Sequence, residues 1–186
     1  MAELPFPTPP LADAAVALRP WRESDAPAQR AAFEDPVFRR FTSWVERPFT
    51  ASAAHRSLVD QERARRRGEE LDLALVEPDD HNVLLGGASL YDVDLGQGRA
   101  GIGYWLAPQA RGRGVATRAV RLLASWAFTE LGLARLELTC GPDNLASQRV
   151  AQRCGFAREG LLRSHMPFHG GRRDTVVFGL LPGELR

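Results

Sequence analysis

Gly103-Tyr104-Trp105-Leu106-Ala107-Pro108-Gln109-Ala110-Arg111-Gly112-Arg113-Gly114-Val115-Ala116-Thr117 is the stretch from which the rest of the chain can be read. An apolar segment of strand character runs into a turn of arginines and glycines and then into a helical pattern. Gly112 and Gly114 remove the side-chain bulk that would hold a ligand away from main-chain N–H groups. A helix beginning near Arg113 or Gly114 leaves its first four amide donors unpaired and presents the positive end of its dipole at the same spot. Such a junction takes an anion without a charged side chain, and Arg111 and Arg113 would add two fixed positive charges. The natural guest is a diphosphate.

Downstream, Val115, Ala119, Leu122, Leu123, Trp126, Ala127 and Leu131 recur at three- and four-residue steps, one face of a helix that Gly132 closes. Leu136, Leu138 and Cys140 alternate with polar residues as the next strand, so strand, loop, helix and strand form a parallel crossover. Asn144 caps a short helix from about Leu145 to Arg153, ended by Gly155. Two strands between Gly160 and Leu181 are joined through His169-Gly170-Gly171.

Upstream, Arg99 to Leu106 is the strand that feeds the loop, and strands at Leu71 to Leu75 and Val83 to Tyr91 form a hairpin. Thr50 to Arg67 has the polarity of an amphipathic helix. Arg65, Arg66 and Arg67 read as cations favoured at its C-terminus before Gly68 rather than as a nucleic-acid patch. Asp35-Pro36 stops or kinks an earlier helix that Ser24 or Asp25 caps and that runs to Phe33, and a segment with Phe38, Phe41 and Trp44 follows. Val16 to Arg19 is a short first strand, and residues 1–13 form a proline-rich lead expected along the surface or partly disordered.

At 186 residues and 44% hydrophobic content the chain suits one domain, residues 14–186 after the lead. A formal charge of +1 gives no global pull toward nucleic acid. All 24 Lys and Arg residues are arginine, which excludes a Walker-type phosphate loop and Schiff-base chemistry, since both need lysine. The N-terminus lacks a secretion signal, and no stretch approaches the roughly 20 apolar residues of a membrane span, so a cytoplasmic protein is expected. Cys140 and Cys154 read as free thiols, and no metal site is expected.

These residues resemble the GNAT superfamily of acetyl-CoA-dependent N-acetyltransferases, in its RimJ/RimL-like branch, over roughly Val16 to Leu181. The family pattern of Arg or Gln, two residues, Gly, one residue, Gly or Ala is met by Arg111, Gly114 and Ala116. Its context is the Gly-Tyr-Trp-Leu strand before it, Asn144 and Ser147 as Asn-x-x-Ser, and the run from Cys154 to Gly160. Leu18-Arg19-Pro20-Trp21 and Ser24-Asp25-Ala26 also look like this branch. The resemblance implies an α/β mixed sheet of about seven mostly antiparallel strands, with a parallel pair splayed at the cofactor and helices on both faces.

It further implies that acetyl-CoA lies in the splay. Trp105 and Leu106 would offer backbone groups to it. Arg111, Gly112, Arg113, Gly114, Val115 and Ala116 would wrap the diphosphate, Asn144 would bond the cofactor arm, and Ser147 would protonate the departing thiolate. The implied reaction is direct attack of a neutral amine on the thioester. For the base, His165, Glu159, Asp92 and Tyr91 are the candidates in that order, because Met166, Gly101 and Gly103 stand where relatives carry carboxylates. The acceptor is a protein N-terminal α-amine of ribosomal-protein type, or a small-molecule amine such as an aminoglycoside or polyamine. For a cationic acceptor, Glu34, Asp35, Glu46, Asp92 and Asp94 would line the acceptor side. The alternative from another class is a catalytically silent acetyl-CoA or CoA sensor. A homodimer accords with the resemblance.

Overall fold

The computed structural model describes residues 2–43, 45 and 48–186. A single seven-stranded sheet runs in the order β1-β2-β3-β4-β5-β7-β6, with β1 Ala17–Arg19, β2 Leu71–Val76, β3 Leu84–Asp94, β4 Arg99–Leu106, β5 Arg135–Cys140, β6 Ala157–Phe168 and β7 Gly171–Leu180. Five helices accompany it: α1 Ala26–Phe33, α2 Pro36–Phe41, α3 Ala51–Arg66, α4 Val115–Thr129 and α5 Leu145–Cys154. Every neighbouring pair of strands is antiparallel except β4 and β5, the crossover that α4 completes.

Sidedness follows the period-two alternation of the strands. Leu71, Leu73 and Leu75 of β2, Leu90 of β3, Ile102 of β4, Leu136 and Leu138 of β5 and Phe178 of β7 form one core with Val115, Ala119, Leu123 and Ala127 of α4. The other face is covered toward its β1 end by α1 to α3, where Phe33, Phe38, Phe49, Ala53 and Ala54 pack with Trp105. Asp72, Ser89 and Gly103 are in register across β2, β3 and β4 on this second face, as are Tyr91, Gly101 and Glu137 across β3, β4 and β5. Gly101 is required there, because a Cβ would come within 2.3 Å of the Tyr91 ring.

The β4–β5 ladder is short. It registers Arg99 with Arg135, Ala100 with Leu136 and Gly101 with Glu137, and then the strands part. From Ile102 to Leu106 β4 keeps only its β3 partner, and from Leu138 to Cys140 β5 keeps only β7. A V-shaped gap opens between them.

Several local expectations need correction. The N-terminal lead is pinned rather than loose: Leu4 is fully buried, its N–H donates to Arg65 O at 3.1 Å, and the Arg65 guanidinium returns a bond to Leu4 O. Asp25 does not cap α1 with its side chain; it is buried against Arg19 in a bidentate pair with both contacts at 2.8 Å. Asp35-Pro36 begins a helix as well as ending one, since Asp35 Oδ1 accepts from Phe38 N–H at 2.9 Å and caps α2. Trp44 lies outside the described residues. The three arginines closing α3 pair within the chain, Arg65 and Arg66 with Glu62 and Arg67 with Glu69. No helix among the described residues is long and apolar enough to cross a membrane.

Candidate functional site

The loop after β4 stands at the open end of the gap. Gly112 and Gly114 adopt φ of 74° and 79°, the left-handed region that favours glycine, and a Cβ at either position would meet nothing within 4 Å. Open space therefore lies over both. α2, α3 and α5 are capped by the side chains of Asp35, Thr50 and Asn144, whereas α4 starts from Gly114 with no capping side chain. Among the described residues, the N–H groups of Gly112 to Thr117 donate to no acceptor. Six consecutive donors at the positive end of a 15-residue helix make a cradle for an anion.

The two arginines of the loop are not the free charges the sequence leads one to expect. Arg111 Nη2 lies 2.6 Å from Asp35 Oδ1 and 3.2 Å from Leu106 O, and Arg113 Nη2 lies 2.8 Å from Glu77 Oε1. Arg111 lines the cleft that runs through the gap, a volume of about 1740 Å³; Arg113 does not. Backbone donors, with Arg111 beside them, would thus carry an anion here.

Along the gap, Ala107 N–H donates to Leu85 O at 2.9 Å. Antiparallel alternation then turns the backbone groups of Trp105 toward β3 and those of Tyr104 and Leu106 toward the gap. Of the two residues expected to offer backbone groups, Leu106 faces the gap. Trp105 instead contributes its ring, stacked on Trp21 at 6.0 Å and set edge-on to Phe33 at 5.0 Å. Asn144 Oδ1 accepts from Ser147 N–H at 3.1 Å, so capping uses the amide oxygen and leaves the amide nitrogen for a ligand.

Ser147 is buried in the first turn of α5, and its hydroxyl faces the Tyr104 hydroxyl and the Cys140 thiol. Burial pushes Tyr104 up to about 12, with Ser147 opposing the rise, so the phenol stays protonated. Tyr104, which also lines the cleft, is a further candidate that its sequence context does not disclose. Its place in an apolar strand resembles that of any core aromatic, and only the gap beside it gives its hydroxyl a function.

The remaining candidates separate clearly. β6 slips register between Leu162 and Met166, and three residues there oppose one of β7. Ser164 at φ 49° is held by its N–H to Asp174 Oδ1 at 2.7 Å, and Arg172 binds the carbonyls of Ser164 and His165. The bulge aims His165 into the cleft, with Nδ1 3.1 Å from Thr175 Oγ1. Glu159 does not reach the cleft: it forms a bidentate pair with Arg135, at 2.8 and 2.5 Å, which holds its carboxyl below the usual range. Tyr91 and Asp92 both line the cleft.

Of the acidic residues expected on the acceptor side, Asp92 lines the cleft, Glu34 pairs with Arg39, Asp35 with Arg111, and Asp94 holds Gln97 in a turn. Glu46 lies outside the described residues. Glu70, Asp72 and Glu137, not among the residues expected there, also line the cleft. Burial and then mutual repulsion raise Asp72 well above the usual carboxylate value, and burial raises Glu70.

Comparison with known proteins places this geometry. The family model described as "Acetyltransferase (GNAT) domain" matches residues 16–157. The chain is 32% identical over 134 residues to "Probable N-acetyltransferase YjcK" of Bacillus subtilis (strain 168), covering 72% of this chain and 74% of that protein. It is 38% identical over 101 residues to "Putative ribosomal N-acetyltransferase YdaF" of the same organism, spanning about half of each, 54% and 55%. Among solved structures, "Mycobacterium smegmatis RimJ in complex with CoA-disulfide" superposes with a TM-score of 0.83 at 26% identity, covering 95% of this chain and 87% of the other.

Proposed function

The chain belongs to the GNAT acetyltransferase family, on its RimJ/RimL-like branch, and from that membership we propose direct transfer of an acetyl group from acetyl-CoA to a primary amine, foremost the α-amine of a protein N-terminus. The observation that carries this reading is the coincidence of an unpaired strand gap with a loop of six unused N–H donors at its mouth. A diphosphate fits those donors, and an extended amide-bearing arm fits a β4 edge whose Tyr104 and Leu106 backbone groups lack a partner strand.

Each residue then has a task in the transfer. Leu106 N–H holds the thioester carbonyl oxygen as negative charge gathers on it. The amide nitrogen of Asn144 holds the cofactor arm. As the amine nitrogen bonds to the carbonyl carbon and the carbon–sulfur bond breaks, Ser147 gives its proton to sulfur and takes another from solvent in the cleft. Tyr104, its phenol protonated throughout the working range, lies beside the Ser147 hydroxyl. His165 takes the proton that the amine loses, and Thr175 fixes its ring.

An α-amine needs the least help from such a site. With a pKa near 8 it is about a quarter neutral at pH 7.5, against about 0.1% for a lysine side chain. The ribosomal relative supports the same acceptor class. Glu70, Asp72, Asp92 and Glu137 along the cleft favour a second reading, a cationic small molecule such as a polyamine or aminoglycoside.

Purified protein incubated with acetyl-CoA and a panel of peptide N-termini, lysine peptides, polyamines and aminoglycosides, with thiol release recorded, tests the proposal. Release with N-terminal peptides is expected. Release with polyamines alone would shift the assignment to the cationic acceptor, and binding of acetyl-CoA with no release would make the chain a sensor.

A further inference from the structure

We propose that Asp35 is a positioning residue that couples occupancy of the anion loop to the shape of the acceptor side of the cleft, acting through Arg111. The inference rests on the reading of the Gly112–Thr117 donors as the diphosphate site. A single oxygen, Asp35 Oδ1, accepts from Phe38 N–H at 2.9 Å and from Arg111 Nη2 at 2.6 Å. The same Nη2 donates to Leu106 O at 3.2 Å, at the end of β4. Residues 76 apart in sequence are thereby joined, and three pieces of the site meet at one carboxylate: the first turn of α2, the last residue of β4 and the start of the loop.

What α2 carries makes the junction consequential. Phe38 is buried, stacks on Phe33 at 4.4 Å and meets Trp105 edge-on at 5.9 Å. Phe33, Phe38 and Trp105 line the cleft on the sheet face opposite α4. A shift in the first turn of α2 therefore reshapes the wall against which an acceptor would lie. Among the described residues, no other hydrogen bond or ion pair joins α1 or α2 to the loop. The Asp35 and Arg111 side chains are 16% and 30% exposed, so solvent screens the pair only in part.

The guanidinium is suited to the role because it has five N–H donors in a rigid fork. Nη2 is spent on Asp35 and Leu106, while Nη1 and Nε have no acceptor among the described residues. Those free donors can take phosphate oxygens without releasing Asp35. An anion in the loop thus immobilises Arg111, Arg111 holds Asp35, and Asp35 holds the cap of α2. By linkage, an acceptor lying against α2 must tighten the cofactor by the same factor.

Asp35→Asn separates this role from simple capping, because asparagine caps a helix as well as aspartate does but lacks the charge that grips Arg111. Asp35→Ser, a second capping residue without charge, guards against a failure peculiar to one variant. Hydrogen exchange of the full chain with and without coenzyme A reads the coupling directly. In the wild-type protein coenzyme A should slow exchange both at residues 112–117 and at Phe38 to Phe41. In the variants the loop should still slow and α2 should not. In turnover, the KM for the acceptor should rise about five-fold or more while the Kd for acetyl-CoA stays within about two-fold. Protection of α2 in the variants equal to wild type, or parallel loss of acceptor and cofactor binding, would overturn the proposal. Absence of protection at 112–117 in the wild-type protein would instead remove the loop assignment itself, and the coupling with it.

Discussion

Glu159 and Asp72 are both carboxylates on strands, and their neighbours drive them in opposite directions. Glu159 faces Arg135, whose hydrogen bonds hold it ionised, and the pair lies in the open with side chains 42% and 32% exposed. Exposed pairs contribute about 1 kcal/mol or less, so Glu159→Gln should leave kcat within about two-fold and barely move the melting point. Ser147→Ala, by contrast, should lower kcat about a hundredfold. Steady-state kinetics on the two variants checks both. Asp72 is raised by burial and by Glu70. A group raised above its unfolded value stabilises the fold in its protonated form, an effect complete below the unfolded pKa and lost as pH rises through the folded one. Glu62, lowered to about 2, and Asp13, Asp35 and Asp143 act oppositely, and only as pH falls below about 4.5. Melting temperature should therefore fall as pH rises above the usual carboxylate range, and Asp72→Asn should flatten that slope. The alternation of β2 puts Asp72 opposite the leucines, as the sequence indicates, but does not reveal that α1 to α3 cover part of that second face as well.

β4, α4 and α5 were legible because each carries its own boundary chemistry. Asn144 and Gly155 bracket α5, and Gly114 in the left-handed region marks where α4 begins. The helix α2 was legible too, since aspartate followed by proline starts one helix as readily as it stops another. The proline-rich lead concealed its anchor: composition indicates an extended segment, and nothing local says that Leu4 reaches the core or that Arg65 of α3 holds it there. The pairing of the loop arginines was hidden for a similar reason. Arg111 and Arg113 sit where an anion site would place cations, and their carboxylate partners, Asp35 and Glu77, come from distant segments. The splay was expected from family resemblance alone. A ladder that ends after three residue pairs is a property of two strands and their outer partners, which no single stretch encodes.

At the scale of the molecule, the two faces of the sheet divide the labour. One face is a closed leucine-rich core under α4 and α5, and it fixes the α4 N-terminus against the end of β4. The other carries the cleft, with its aromatic wall on α1 and α2, its carboxylates on the floor and His165 turned in from the β6 bulge. The gap between β4 and β5 connects them, so a cofactor held by the loop would reach an acceptor on the far face. Calorimetric titration of acetyl-CoA into the wild-type protein and Gly114→Trp shows whether this loop and gap bind acetyl-CoA. No neighbour lies within 4 Å of a Cβ placed at Gly114, so an indole there would enter the open space over the loop at the cost of a strained φ, about 1–2 kcal/mol. One site in the wild-type protein and none in a folded variant is the predicted result; equal binding by both would show that the cofactor binds elsewhere.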